Sequence, residues 1–311
     1  MPTSKNVMTT SRIDHPIGIY FFRRFLESAM GKEVHTQFGD EYSIPAGSGD
    51  LAKWRRYAAP TAQTTPIGEI QQPAPVQMTK TDLSQRVRMY GAWIKPTDWL
   101  DVTGMSADKR ERTIWLGKQR GLTLDTLCRN VIAAGSSSTT ATSGDALATD
   151  INKDDLETII TNLLVANAEM IESPIKAGTG QGTSPIRDAF IVIAHVQLRE
   201  AIEAMAGFKH FTTYANYTNI YQGEWGAVGN MRFILTTNAY TSDSNYYVTV
   251  IAKGAFGNVK LPAAEKQLIF HPARQAGGAL EMYSEYGWKL PYAAKLLNED
   301  YIHTLICTKP S

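Results

Sequence analysis

The sequence predicts an α+β protein, and three features of the chain predict it. A proline-free segment from residue 101 to 134 carries apolar residues at the helical period. Two segments with period-two alternation, residues 51–58 and 79–94, flank a proline-rich stretch and are typical of paired strands. From residue 211 onwards, short alternating segments are separated by turn residues. Together these patterns favour one dominant helix, one strand arm and a strand-rich final third.

The composition is that of a globular chain with a substantial core. With 311 residues, 43% hydrophobic and 20% charged, it forms one large or two interleaved domains. It has no run of 18 apolar residues and no secretory leader at its start, so we expect a soluble, unexported protein with no membrane partner. A net charge of +1 argues against a protein that wraps nucleic acid. Residues 80–130 are nevertheless net basic and residues 139–200 net acidic, which suits contact between copies.

The long helix is predicted to begin after an N-cap at Ser106 and to end at Gly135. Its 29 residues would make a rod of roughly 43 Å. Polar residues, Asp125 among them, are predicted to lie mostly off its apolar face. That face holds Ile114, Gly117, Gly121, Leu124, Leu127, Cys128 and Val131.

Gly117 and Gly121 are unusual in the interior of a helix, where each glycine costs about 1 kcal/mol relative to alanine. Because they share the apolar face, we interpret them as a packing notch that lets another backbone approach, rather than as tolerated surface glycines.

The alternating segments on either side of the prolines predict a two-stranded arm with an irregular tip from Pro60 to Pro75. An isolated two-stranded ribbon is marginal in water, so an arm of this length needs a surface on which to lie. Such a surface is hard to find within one monomer. Residues 17–26, rich in aromatic side chains, should likewise dock on their own subunit or on a neighbour.

The second half of the chain predicts further elements in order. A small-residue connector from residue 136 to 150 leads into a helix capped by Asn152, followed by a strand at residues 188–196 and another helix. The last two alternating segments, residues 286–297 and 300–308, are predicted to form a terminal hairpin covered by the long helix.

No residue pattern predicts catalysis. Cys128 and Cys307 have no partner at metal or redox spacing and are interpreted as small buried hydrophobes. The glycine-rich loop at residues 178–184 lacks the G-K-[ST] ending of a phosphate-binding loop. His195 is interpreted as a hydrogen-bonded histidine at the core boundary, and Asp154 as part of a helix start. We therefore expect no catalytic residue, no metal and no cofactor.

Five parts of the chain, taken in order, carry a family resemblance that covers most of it. They are SGDLAKWRRYAAPTAQTTPIGEI with RVRMYGAWI, LGKQRGLTLDTLCRNVIAAG, DAFIVIAHV, GEWGAVGNMRFILTTNA and YGWKLPYAAKLLNED. Their order and spacing resemble the major coat proteins of tailed bacteriophages, specifically the N-four-type family, which has the Hong Kong 97-type capsid fold.

The resemblance implies four structural regions. They are an N-terminal arm (1–41), an extended hairpin loop (42–96), a peripheral domain with a spine helix (97–139 and 271–311) and an axial domain (140–270). The support for the hairpin loop would then be a neighbouring subunit. The chain has no heptad run at its start, so any scaffold would be a separate protein. The lysine and asparagine of the namesake's cross-link are not matched, so no cross-link is expected.

The implied function is that of a non-enzymatic coat subunit. It would assemble with itself into pentamers and hexamers of an icosahedral shell around double-stranded DNA, in the virion, after assembly in the host bacterial cytoplasm. Separate scaffolding, portal and decoration proteins are expected partners, and DNA is expected to be a non-specific one. The alternatives are an encapsulin-like nanocompartment shell and, less favoured, an α+β enzyme. The residues expected at subunit contacts are Trp54, Arg55, Arg56, Arg86, Arg88, Lys109 and Arg112. For Arg86, Arg88, Lys109 and Arg112, contact with packaged DNA is the alternative.

Overall fold

The computed structural model describes residues 33–67, 73–103, 107–135, 137–142, 150–171, 188–213, 221, 223–276 and 280–308, with only the backbone described at 101–103, 107–110, 213 and 276. Elements are numbered in chain order. The helices are α1 (Asp98–Thr103), α2 (Ala107–Gly135), α3 (Lys153–Val165), α4 (Arg199–Glu203) and α5 (Ala273–Ala276). The strands form a five-stranded sheet, an eight-stranded sheet and a two-stranded ribbon.

The five-stranded sheet is built around one long strand near the end of the chain. Its members are β1 (Asp40–Ser43), β4 (Arg88–Ile94), β12 (Phe256–Lys260), β13 (Lys266–His271) and β14 (Glu285–Leu296). Strand β14 pairs antiparallel with β12, β13 and β4, while β1 lies parallel to β12 at an edge. The twelve residues of β14 therefore hold most of this sheet together.

The eight-stranded sheet runs in the order β5-β15-β11-β6-β9-β8-β7, with β10 paired to β11. Its central strand β6 is continuously apolar and almost wholly buried, as its sequence predicts. Helix α3 covers the sheet through Leu156, Ile159 and Leu163. Its strands are β5 (Ser137–Thr140), β6 (Phe190–His195), β7 (Lys209–His210), β8 (Glu224–Val228), β9 (Met231–Thr236), β10 (Thr241–Ser242), β11 (Asn245–Ile251) and β15 (Ile302–Thr308).

Helix α2, hereafter the spine helix, is one continuous helix of 29 residues, as the sequence predicts. The proposed N-cap Ser106 lies outside the described residues. Leu116 and Leu124 pack against Trp288 and Leu290 of β14 in one buried cluster. Further along the helix, Cys128 joins a second cluster that reaches the eight-stranded sheet. The spine helix thus contacts both sheets.

Three local predictions need correction. The segment at 137–140, expected to be part of a loop, is strand β5, because it pairs in parallel with β15. The expected terminal hairpin does not form, since β14 and β15 belong to different sheets and are separated by a 3-10 turn at Glu299–Tyr301. Asp125, expected on the polar side of the spine helix, is 1% exposed, because hydrogen-bond donors from two other segments surround it.

The sheets also cross the boundary expected between residues 270 and 271. Strands β12 and β13 pair with β14, whereas β15 pairs with β11. The assignment of the four regions stays a prediction. The cap of α3 is as expected, since the Asn152 side chain accepts a hydrogen bond from the Asp154 N–H at 3.1 Å.

Candidate assembly surface

The ribbon is formed by β2 (Leu51–Tyr57) and β3 (Lys80–Arg86), which pair antiparallel over their full length. A last backbone hydrogen bond joins the Ala58 N–H to the Thr79 carbonyl at 3.0 Å. We call residues 58–79 the ribbon tip. All of its described residues, 58–67 and 73–79, are exposed. The ribbon is shorter than the sequence predicts, because residues 88–94 leave it to join the five-stranded sheet as β4.

The ribbon tip exposes apolar side chains. The exposed fractions are 72% for Ile67, 68% for Val76 and 70% for Met78. Single exposed apolar residues are common, but three on one projecting segment form a surface that association would remove from water. At about 25 cal/mol per Å² of apolar area buried, covering such side chains is favourable.

The base of the ribbon rests on its own subunit, a support that the sequence analysis did not find. The Trp54 ring lies edge-on to that of Tyr42, with 5.6 Å between ring centres, and packs against a cluster containing Val259 and Ala293. Arg56 Nη1 donates to Asn298 Oδ1 at 2.5 Å. Trp54 and Arg56, expected at subunit contacts, therefore also make contacts within the chain that fix the direction in which the ribbon leaves the sheet.

Two of the expected contact residues are paired within the ribbon region. Arg55 Nε lies 2.8 Å from Asp82 Oδ1, and Arg86 Nε lies 3.2 Å from Asp50 Oδ2. The hydrogen bond from Arg55 lowers the pKa of the Asp82 carboxyl. These pairs are exposed, so they contribute little to stability but remain accessible to another chain.

The other three expected contact residues lie on β4 and the spine helix. Arg88 is exposed at the start of β4, and Lys109 lies in the first turn of the spine helix, its side chain outside what the structure describes. A groove of about 450 Å³ separates β4 from the spine helix, and the Trp115 ring lies exposed beside it. The groove is lined by Ile94, Glu111, Arg112, Ile114, Trp115 and Lys118.

Both glycines of the expected notch, Gly117 and Gly121, are buried on the spine helix. They lie in the part of the helix whose neighbours Leu116 and Leu124 pack on β14. Burial agrees with a packing role, and the notch itself stays a prediction. A close approach of two backbones occurs elsewhere, since a Cβ added at Gly91 of β4 would lie 2.7 Å from the Trp288 carbonyl oxygen.

A buried polar cluster on the spine helix was not predicted from the sequence. Asp125 Oδ1 accepts from the backbone N–H groups of Val34 and His35 at 2.8 and 2.7 Å. Asp125 Oδ2 accepts from His35 Nδ1 at 3.0 Å and from Asn238 Nδ2 at 2.7 Å. Spacing along the helix could have indicated that Asp125 is buried, because it lies four residues after Gly121 and so shares the buried face.

The pKa values of two carboxyl groups in this region, Asp125 and Glu33, are shifted in opposite directions. Burial alone would raise the pKa of Asp125, but hydrogen bonds and electrostatic attraction from His35, with the hydrogen bond from Asn238, hold it below its usual value of 3.8. One turn earlier on the helix, Arg120 pairs with Glu265 and lies 3.9 Å from Glu33. Burial raises the pKa of Glu33 above its usual 4.5, and Arg120 only partly offsets this.

The described residues do not assemble a recognisable catalytic centre. No group of three or more His, Cys, Asp or Glu side chains among them could hold a metal ion. Both cysteines are buried, and burial raises the pKa of the Cys307 thiol to about 12, which leaves little reactive thiolate. His195 Nδ1 accepts from the Gln197 N–H at 3.2 Å, so this ring caps a turn. None of the described helices is long and apolar enough to cross a membrane.

No protein-family model and no curated protein matches the chain. Solved structures do match. The capsid of Ralstonia phage GP4 has a TM-score of 0.61 at 11% identity, over 90% of this chain and 92% of that one. The mature capsid of bacteriophage PhiM1 has a TM-score of 0.57 at 12% identity, over 90% and 88%. A virus-like particle from Pyrococcus furiosus has a TM-score of 0.52 at 11% identity, over 92% and 98%. These similarities confirm the predicted fold class: the chain has the Hong Kong 97-type fold of phage capsid proteins.

Proposed function

We propose that the chain is a major capsid protein of a tailed phage, a non-enzymatic subunit that assembles into pentamers and hexamers of an icosahedral shell around double-stranded DNA. The observation that carries the proposal is the ribbon tip, in which every described residue is exposed and which presents Ile67, Val76 and Met78 on a fold shared with capsid subunits. A fold alone does not determine function. An apolar segment held away from its own core needs a further partner.

The principal partner is a second copy of the same chain. The base of the ribbon is fixed by Trp54 and Arg56, so the tip projects in a defined direction rather than folding back. The fixed base reduces the ordering entropy that a neighbour must offset on binding. Closed symmetry then multiplies modest contacts into a stable shell. Arg55, Arg86, Arg88, Lys109 and Arg112 are proposed contacts at its edges.

The remaining parts of the proposal concern partners and location. Separate scaffolding, portal and decoration proteins would take part, and packaged DNA would meet the inner wall without sequence specificity. The subunit would assemble in the host bacterial cytoplasm and reside in the virion. An extended hairpin loop at 42–96, a peripheral domain at 97–139 and 271–311, and an axial domain at 140–270 complete the proposal.

A nanocompartment shell is the second candidate function. It is favoured by the virus-like particle from Pyrococcus furiosus, which matches 92% of this chain and 98% of its own. The two functions share a fold and differ in what the shell encloses. Electron microscopy of shells produced in the native host, followed by analysis of their contents, separates them, since the proposed capsid encloses DNA and a nanocompartment encloses protein.

Deleting residues 61–74 tests the assembly role of the ribbon tip. The variant should retain its fold, because every described residue removed is exposed, and should fail to form shells tens of nanometres across. Circular dichroism reports the fold, and electron microscopy with sedimentation reports assembly. Val76→Asp in the full-length chain is the matched point variant and should weaken assembly without loss of fold. Normal shells from the deletion variant would overturn the role given to the tip.

A further inference from the structure

The segment that leads from the N-terminal residues into the fold is hydrogen-bonded to the spine helix through the Asp125 carboxylate. Beside these bonds, Glu33 lies 3.9 Å from Arg120, and Val34 packs against the cluster that contains Cys128. Asp125 receives four hydrogen bonds, two on each oxygen, from the Val34 N–H, the His35 N–H, the His35 ring and the Asn238 amide. The His35 and Asp125 side chains are 4% and 1% exposed, so water cannot replace a lost partner without movement of the chain.

These four bonds require the ionised form of Asp125. A carboxylate offers about four lone-pair sites and no donor, whereas a protonated carboxyl turns one of those sites into an O–H donor. With all four sites occupied by donors, protonation leaves one donor buried without an acceptor. Such a loss costs about 1–3 kcal/mol, and more for a charged group. His35 Nδ1 carries its proton in this arrangement, because its partner can only accept.

We propose that Asp125 is an acid-operated latch, whose ionised carboxylate holds residues 33–35 on the spine helix and whose protonation releases them. The inference does not rest on the proposed capsid function, since it concerns contacts within one subunit. Within a capsid it would govern how the N-terminal arm enters the fold.

The segment that is released ends before Thr36, because residues 36–38 are held by contacts whose groups do not change charge in acid. The Thr36 carbonyl accepts from Asn258 Nδ2 at 3.0 Å, and the Phe38 ring packs edge-on to Tyr221 with 5.2 Å between centres. These contacts hold residues 36–38 in place when Asp125 is protonated. The latch therefore opens locally, with the chain pivoting before Thr36 and the core left intact.

The charged and titratable groups around Asp125 define the acid range in which it opens. From the N-terminal segment, Glu33 and His35 face it. From the spine helix, Arg129 reaches it through Asn238, with Arg129 Nη1 donating to Asn238 Oδ1 at 2.9 Å. Cys128 and Tyr292, whose pKa values burial raises, stay neutral in acid.

The pKa values of the two carboxyl groups, Glu33 and Asp125, set the order in which these two are protonated. Of the two, Glu33 is protonated at the higher pH, because its pKa lies above 4.5, and its attraction to Arg120 is then weakened. Asp125, with a folded pKa below 3.8, keeps its charge longer. A lowered folded pKa stabilises the bound segment at neutral pH, and that contribution is lost as pH falls through the folded value. The latch opens in this lower range.

Hydrogen exchange of the full-length chain, read by mass spectrometry and expressed relative to the unprotected rate at each pH, tests the latch. In the wild type, the Val34 and His35 amides should be protected at pH 7 and lose protection, by roughly tenfold or more, below pH 3.8. Peptides from β6 should stay protected over the same range. Asp125→Ala should abolish protection of the two amides at every pH.

Asp125→Asn places an NH₂ donor among the four donors, as a protonated carboxyl places an O–H there, and it cannot titrate. The two amides should therefore show low protection in this variant that does not depend on pH. Asp155→Ala, which removes a partly exposed carboxylate on α3 that accepts from Thr142, is the matched control and should keep the wild-type profile. Two results would overturn the proposal. One is wild-type protection that persists until β6 itself opens, and the other is a wild-type pH profile in Asp125→Asn.

Discussion

Replacing Leu124 by alanine tests whether the spine helix is held by its contact with β14. Leu124 is 2% exposed and packs in the cluster with Trp288 and Leu290. Removing three buried carbons loses their transfer free energy and leaves a cavity, which costs about 2–5 kcal/mol in packed cores. Since the strand behind the side chain is hydrogen-bonded on both edges, we expect little collapse and a value in the upper half of that range.

The assay is chemical denaturation of the unassembled subunit at one protein concentration, because assembly would add its own stabilisation. Leu122→Ala is the matched control, since Leu122 lies two residues away on the same helix and is 51% exposed. Its free energy of unfolding should change by less than about 0.5 kcal/mol. Equal losses in the two variants, or a loss below about 1 kcal/mol in Leu124→Ala, would refute the assigned packing.

Two further substitutions probe the same region. Tyr292→Phe removes the buried O–H that donates to Asn258 Oδ1 at 2.6 Å. Among the described residues, that oxygen then keeps only the weak thiol donor of Cys128, so unfolding measurements should show a loss of about 1–3 kcal/mol. An unchanged denaturation midpoint would contradict this bond. Gly121→Leu should overpack the buried face at a cost of roughly 1–3 kcal/mol, and normal thermal stability with normal assembly would argue against the notch.

Elements defined by their own sequence were predictable. The continuous apolar run of β6, the Asn152 cap of α3 and the extent of the spine helix all depend on residues close together in the chain. Strand partners were not predictable in this way. The prediction of a terminal hairpin was wrong because alternation identifies β14 and β15 as strands but does not identify their partners. Strand β14 pairs with β12, and β15 pairs with β11.

The burial of the polar cluster around Asp125 could not be predicted from neighbouring residues in the sequence either. Asp125 can be buried because donors far away in the sequence surround it, among them the N–H groups of Val34 and His35, about 90 positions earlier. A helical wheel ranks an aspartate as polar and cannot supply those distant donors. The support of the ribbon within its own subunit was not predicted either. The contacts with Tyr42 and Asn298 that provide it are not indicated by the alternating pattern of the strands.

The central place of β14 has a consequence for the order of folding. Its register joins Tyr286 to Ile94 and Phe256 to Leu296, and β15 closes the other sheet by pairing Ile302 with Ile251. Pairings between segments so far apart in sequence form slowly, because a long loop must close first. During synthesis, β4 and β11 wait for these partners with unpaired edges. A nascent chain therefore gains the paired edges of both sheets only after β14 and β15 have been synthesised.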